Sequence, residues 1–339
     1  MENFGNIAIT SRIRLARNVS GINFYTKLTN EEDAMFIVDS VLEILEQTGS
    51  FNYYHLKDLS INECNALLEK HFISKELIDN KDISCIAINQ EQNIAIMLNE
   101  EDHIREQCMH EGFNLLKPYR ELQKIDKQIL NQIDIAYNED YGFITSCPTN
   151  LGTAMRASVM LFLPGLERNG EIDIVFKEVK DKGLTVRGFY GEGSGTYGSF
   201  YQVSNQLSLG LNEQEIIDNV SDYVFTICEM EASAREDILT FSSNELKDEI
   251  YRAVGILESC FMISEKEMIE LLSKIKFGYA LGFLEISNLK AFDNLYYEGA
   301  SANLKINYVY NNPKDESIIR AEFIRDKIRI LIQREGIWD

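Results

Sequence analysis

Five of the chain's 14 arginines stand inside short motifs rich in glycine, serine, glutamate and cysteine. Ser11-Arg12-Ile13-Arg14 places two guanidinium groups two residues apart, hence on one face of an extended segment. Arg105 follows Asn99-Glu100-Glu101-Asp102-His103, Arg156 follows Cys147-Pro148-Thr149-Asn150, and Arg187 opens Arg187-Gly188-Phe189-Tyr190-Gly191-Glu192. Taken singly, each arginine fits a surface ion pair. Together they fit the oxygens of a polyphosphate: planar forks of N–H donors could hold a triphosphate and neutralise a transferring phosphoryl group.

Three adjacent carboxylates in Glu100-Glu101-Asp102 would repel one another unless cations lie close, and the arginines supply them. The run comes directly off a strand ending at Leu98, a rigid support from which one glutamate could bind a cationic substrate and take its proton; an ordinary polar turn is the other reading. Cys147 has Ser146 and Thr149 beside it and a proline turn after it, which places it in a loop among hydroxyls instead of in a core.

Other phosphate-binding devices are missing or misplaced. No GxxxxGK[ST] loop occurs. Gly193-Ser194-Gly195-Thr196-Tyr197-Gly198 has dinucleotide-loop spacing, but the strand before it belongs to a hairpin and not to a βαβ unit, so a loop able to close over a ligand, or a plain turn, is the better reading.

The elements that must carry these residues change period along the chain. Ala34, Ile37, Val38, Val41 and Leu45 recur at helical spacing after a capping sequence at Thr29 to Glu32, predicting a helix over 30–47. Residues 83–88 and 94–98 predict a hairpin, and 172–179 with 184–190 predict a second. Antiparallel strands with helices against them make the first two thirds α+β. Beyond about 210 helical periods dominate, with starts at Ser242, Ser264 and Asn312-Pro313. The expected division is 1–234 for a catalytic domain and 235–339 for an all-α domain.

The balance of 33 Lys+Arg against 54 Asp+Glu gives a net charge of -21, which argues against nucleic-acid or anionic-membrane partners and admits basic ones. No signal sequence or long apolar run is present, and six scattered cysteines without a CxxC pair fit reduced thiols. A cytoplasmic protein is expected. Four histidines show no metal-binding spacing.

The ordered motifs Ser11-Arg-Ile-Arg14, His71-Phe72, Asn99 to Arg105, Cys147 to Ala157 and Arg187 to Glu192 resemble the phosphagen (guanidino) kinase family across roughly residues 7–234. The branch resembled most is the one that phosphorylates arginine in proteins. The resemblance implies a phosphagen-kinase catalytic-domain fold and ATP as phosphoryl donor, with Mg2+ held by nucleotide phosphates and water and no protein metal ligands. It implies that Ser11, Arg12, Ile13, Arg14, His71, Arg105 and Arg156 bind nucleotide, with Ala157, Ser158, Val159, Met160, Arg187, Gly188, Phe189, Tyr190, Gly191 and Glu192. Glu101 would be the catalytic base, Glu192 would help hold the guanidinium, and Cys147 would orient it as a negative partner. The implied partners are proteins with exposed arginine, a McsA-like activator protein, a Clp-type unfoldase and a heat-shock repressor, in a degradation and heat-shock role; a homodimer is left open.

Departures accompany the likeness. Gly152-Thr153-Ala154 replaces a GTG run, and Gly195 stands where relatives carry Glu. The RDxxRA motif that grips phosphoarginine in the helical domain of relatives reads Glu316-Ser-Ile-Ile-Arg320-Ala321, so weakened phosphoarginine binding is expected there. Two rival readings are a kinase of free arginine or another guanidino metabolite, disfavoured by a chain that starts close to its first motif, and a weakly active phosphoarginine-binding adaptor.

Overall fold

A computed structural model describes residues 4–24, 30–188, 198–310 and 312–333. The chain forms two compact units, one of Met1–Leu161, Asp173–Arg187 and Gln202–Cys228, the other of Phe162–Ile172, Gly188–Tyr201 and Glu229–Asp339.

In the first unit β1 (Ala8–Arg17) leads to α1 (Glu31–Thr48), whose N-cap Asn30 accepts the N–H of Glu32. That helix buries Ala34, Ile37, Val38, Val41, Ile44 and Leu45, as its period requires. Thr29 lies outside the described residues. Next come β2 (Phe51–His55), α2 (Ile61–Glu69) behind a Ser60/Glu63 capping box, and α3 (Lys75–Asp79). The first expected hairpin is β3 (Cys85–Asn89) and β4 (Ile94–Leu98), with every residue of both buried. The chain continues through β5 (Ile104–Glu111), α4 (Leu116–Gln132), and the short β6 (Tyr137–Asn138) and β7 (Gly142–Phe143).

After β8 (Met155–Phe162) and α5 (Pro164–Arg168) the second expected hairpin is corrected. Residues 172–179 form helix α6 (Ile172–Asp181), not a strand. Its buried positions are Val175 and Val179, four apart, while Ile174 is 58% exposed. Alternation of Ile172, Ile174 and Phe176 imitated a strand; burial follows the helical period. The other limb is a strand, β9 (Leu184–Gly188), followed by β10 (Phe200–Asn205). The main sheet runs β2-β3-β4-β5-β1-β8-β10-β9. Its β1–β5, β1–β8, β2–β3, β3–β4 and β4–β5 pairs are antiparallel.

The long α7 (Glu213–Phe241) contains residue 234, so the expected domain boundary falls inside a continuous helix. In the second unit follow α8 (Ser243–Ser259), α9 (Glu265–Ala280), β11 (Glu285–Ile286), α10 (Leu289–Glu298), α11 (Ser301–Asn307), α12 (Pro313–Leu331) and β12 (Ile332–Gln333). Helices α9 and α12 pack on α8, and Leu246, Ile250, Leu272, Ile324 and Ile328 of these helices are buried. Within this unit Glu231 accepts the N–H groups of Gly165 and Leu166 at the start of α5 and pairs with Arg235 at 2.7 Å.

Candidate active site

Sheet register gathers the arginines. Arg14 on β1 lies opposite Arg156 on β8 and Gln107 on β5, Arg12 lies opposite Ser158, and Ala16 opposite Arg105. Directly opposed residues share a face, so Arg12, Arg14, Arg105, Gln107, Arg156, Ser158 and Met160 line one surface of three central strands. The charge of Arg14 is held at a cost. Its pKa lies well below the ordinary arginine value, first through burial and then through repulsion from Arg12, Arg105 and Arg156, with Glu100 opposing. Among the described residues its buried Nε has no hydrogen-bond partner. Four guanidinium groups converging on a partly dry surface is the electrostatic negative of a polyphosphate.

Surrounding groups fix the forks. Arg156 donates through Nε and Nη2 to Ser204 Oγ on β10 at 3.2 and 2.9 Å. Asn205 clamps the same strand, accepting from Ala157 N and donating to Met155 O. His71 adopts a left-handed backbone (φ 60°), and its carbonyl accepts from Gln107 Nε2 at 2.7 Å. Burial, then the Arg12 charge, push His71 down to about 4, so it is neutral at pH 7 and adds no further positive charge.

The carboxylate run leaves β4 through Asn99, in the left-handed region at φ 61°. Ser84 Oγ and Asn80 Nδ2 donate to the Asn99 carbonyl, and Asn99 Nδ2 donates to the carbonyls of Ala34 and Ile83. This anchoring separates the fates of three neighbours. Glu100 is 1% exposed, paired with Arg105 and accepting from Ser74 Oγ at 2.6 Å. Asp102, also buried, accepts from Asn18 Nδ2 and from Ser146 N, each at 2.7 Å. Glu101 reaches solvent between them. Its pKa is raised by partial desolvation of its carboxyl, then by Asp102 and Glu100, with Arg105 opposing. Among the three, Glu101 combines access with a proton affinity suited to a base.

Cys147 is joined to this loop. Ser146 Oγ donates to the Glu101 carbonyl at 2.7 Å, and Thr145 Oγ1 donates to the Cys147 carbonyl at 2.9 Å. Cys147 Sγ lies 3.1 Å from Thr149 Oγ1 at the start of a single turn opened by Pro148. The thiol is part exposed, in a loop, as expected.

Not every expected residue comes to the same surface. Ser11, Ile13, Ala157 and Val159 point to the opposite face and are fully buried. Ser11 Oγ there donates to Gly112 O and accepts from Asn114 N. Arg187 and Gly188 lie on β9, two strands beyond β8. Phe189, Tyr190, Gly191 and Glu192 lie outside the described residues, as does most of the Gly193 to Gly198 loop. Gln107 and Ser204 were not singled out from the sequence, and Glu100 and Asp102 were named only as members of the carboxylate run. Gln107 carried a signal, lying two residues from Arg105 on a strand; Ser204 and the Asn18–Asp102–Ser146 link join distant segments.

The family profile for ATP:guanido phosphotransferase, C-terminal catalytic domain, matches residues 34–234. The profile for the protein-arginine kinase McsB C-terminal domain matches residues 243–335. The protein-arginine kinase of Clostridium kluyveri is 39% identical over 97% of this chain and 96% of its own. That of Bacillus subtilis is 36% identical over 96% and 91%. Among solved structures, lombricine kinase superposes with TM-score 0.61 at 26% identity, covering 69% of this chain and 68% of its own. A duplicated taurocyamine kinase from Schistosoma mansoni shares the fold, with TM-score 0.63 at 22% identity over 83% of this chain and 47% of its own. The chain therefore belongs to the ATP:guanido phosphotransferase family, in its protein-arginine kinase branch.

Proposed function

We propose that this chain transfers the γ-phosphoryl group of ATP to arginine side chains of proteins. The observation that carries the reading is Arg14, a guanidinium held among Arg12, Arg105 and Arg156 with its Nε unpartnered among the described residues. Glu100 offsets part of this crowding, and a multiply charged anion would offset the rest. The forks would hold the phosphate oxygens in line with the acceptor, and Mg2+, carried by those oxygens and water, would add charge neutralisation.

Arginine is a poor nucleophile because its guanidinium stays protonated up to pH 12 or so. Glu101 takes a proton from the attacking nitrogen as that nitrogen's lone pair forms the N–P bond. The bond from the γ-phosphorus to the β–γ bridging oxygen breaks, and its electrons leave with ADP. Cys147, held to the Glu101 loop through Ser146, and Glu192 orient the guanidinium. Arg187, Gly188 and the segment to Glu192 complete the nucleotide side, and Ser11, Ile13, Ala157 and Val159 support it from behind. The catalytic work belongs to residues 1–234. Residues 235–339 serve partner contacts in a cytoplasmic setting, where phosphoarginine marks proteins for a Clp-type unfoldase and a heat-shock repressor is among the targets, under an activator protein.

Incubation with labelled ATP and a basic protein, and separately with free arginine, tests the reading. Label on protein that is lost in mild acid and maps to arginine is expected. Acid-stable label on Ser or Thr would sink it, and label on free arginine alone would assign a metabolite kinase instead.

A further inference from the structure

On the sheet face opposite the arginines, Cys108 and His110 of β5 point toward α4, where Glu121 meets them. Cys108 is fully buried, whereas the His110 and Glu121 side chains are 16% and 29% exposed. His110 Nε2 lies 2.7 Å from Glu121 Oε2, Cys108 Sγ lies 3.5 Å from the same oxygen, and all three atoms fall within 4.8 Å of one another. Nothing in the phosphoryl-transfer reading uses them.

A fourth polar side chain meets the same group. Asn93 Nδ2 approaches Glu121 Oε2 at 3.0 Å, His110 Nε2 at 3.1 Å and Cys108 Sγ at 3.9 Å, while its Oδ1 accepts from Asn89 Nδ2 at 2.7 Å. One carboxylate oxygen, with about two lone pairs, is thus offered three donors. If His110 Nε2 carries a proton for Glu121, that donor faces the Asn93 amide donor. If it does not, its lone pair faces a carboxylate lone pair at 2.7 Å. A cation bound to the thiolate, imidazole and carboxylate takes up all three lone pairs and leaves Asn93 as an outer donor to Glu121.

We propose that Cys108, His110 and Glu121 form a site for one borderline-soft divalent cation of the Zn2+ class. One thiolate, one imidazole and one carboxylate are ligands of that class, and hard cations such as Mg2+ and Ca2+ take oxygen instead. With metal–ligand bonds of about 2.0–2.3 Å, the Cys108–Glu121 edge is already of the right length and the His110–Glu121 edge opens by less than an ångström. The fourth position opens to solvent on the exposed side of His110 and Glu121.

Binding replaces the thiol proton: the S–H bond breaks, its electron pair goes to the metal and H+ goes to water. The ligand is the thiolate, so uptake releases the thiol proton and strengthens as pH rises. The site ties α4 to the back of the strand whose front carries Arg105. It is a structural staple, not part of phosphoryl transfer.

Cobalt(II) titration of the full chain after chelator treatment tests the assignment. One equivalent should bind with a thiolate-to-cobalt charge-transfer band, be displaced by Zn2+, and raise the melting temperature. Cys108→Ser should lose the band, while Cys147→Ser should keep it. His110→Gln and Glu121→Gln, on the open side where the fold tolerates change, should weaken binding beyond the roughly 10–100-fold cost of losing an outer-shell partner. The proposal is overturned if the wild type shows no thiolate band, if the band follows Cys147, or if neither glutamine variant changes affinity.

Discussion

At the residue scale, Glu100 and Glu101 show how one peptide bond can separate two tasks. Glu100 is buried against Arg105 and Ser74 and acts as a fixed counter-charge, while Glu101 remains accessible with its pKa raised. A base must be ionised to accept a proton, so turnover falls as pH drops through the Glu101 pKa. That pKa is elevated, so the acidic limb of kcat should lie above the ordinary glutamate value of about 4.3. Glu101→Gln should lower kcat by about 10²–10⁴-fold and leave ATP affinity unchanged, since the phosphate forks stand on other strands. Its residual rate should be flat across the same pH range. A persisting limb in that variant, measured by steady-state kinetics, would assign the titration to another group. The arginine set was legible in the sequence because Arg12 and Arg14 obey the two-residue period and sit in polar motifs. The same period argues that Ser11 and Ile13 point the other way, and both do.

At the element scale, two loops are joined through a residue whose partners are 84 and 44 positions away, Asn18 and Ser146 around Asp102. Such links leave no local signal, so periodicity reveals strands and helices but not what ties their ends. The reverse failure occurs at 172–179, where short apolar alternation suited either period and packing of Val175 and Val179 decided for a helix. Helix α4 was not anticipated, although Leu122, Ile125 and Ile129 carry its buried stripe. Asp102→Ala should strand the Ser146 N–H and loosen both the Glu101 and Cys147 loops, costing about 1–3 kcal/mol per orphaned group. Denaturation should report that loss together with a fall in kcat, while ATP affinity stays within twofold; unchanged kcat would show the link to be dispensable. On α12, Arg320 is 2% exposed and already committed. It donates to Gly299 O at 2.8 Å, Ile263 O at 3.3 Å, Ser301 Oγ at 3.0 Å and Glu316, with Glu265 at 3.8 Å. Burial alone would raise the Glu316 carboxyl, but hydrogen bonds from Ser301 and Arg320 and the Arg320 charge bring it below the ordinary range. A phosphate entering here would meet two carboxylates. Titration of the full chain with free phosphoarginine should therefore show no micromolar binding that depends on Arg320, whereas Arg320→Ala should destabilise the helical unit by about 1–3 kcal/mol for each buried acceptor it orphans, such as Gly299 O. Micromolar affinity abolished by Arg320→Ala would restore the pocket.

At the scale of the whole molecule, a chain of net charge -21 carries a site where four guanidiniums converge, with Glu100 as a partial counter-charge. The two signs act over different ranges. Close to the site, fixed forks select multiply charged phosphate; farther out, the negative field favours encounter with basic proteins and disfavours free nucleotide. Salt weakens the long-range term first, because the screening length is about 10 Å at 0.1 M and about 3 Å at 1 M. Partly dry contacts at the site are screened much less. Raising ionic strength should therefore increase KM for a basic protein substrate through slower association, with kcat nearly constant. KM for a short neutral peptide bearing one arginine should change far less. Steady-state kinetics on both substrates across 0.05–0.5 M salt (roughly a threefold span of screening length) would separate the two terms. Equal salt responses would place recognition wholly at the reacting arginine, and a fall in kcat with salt would place the sensitivity in the chemical step.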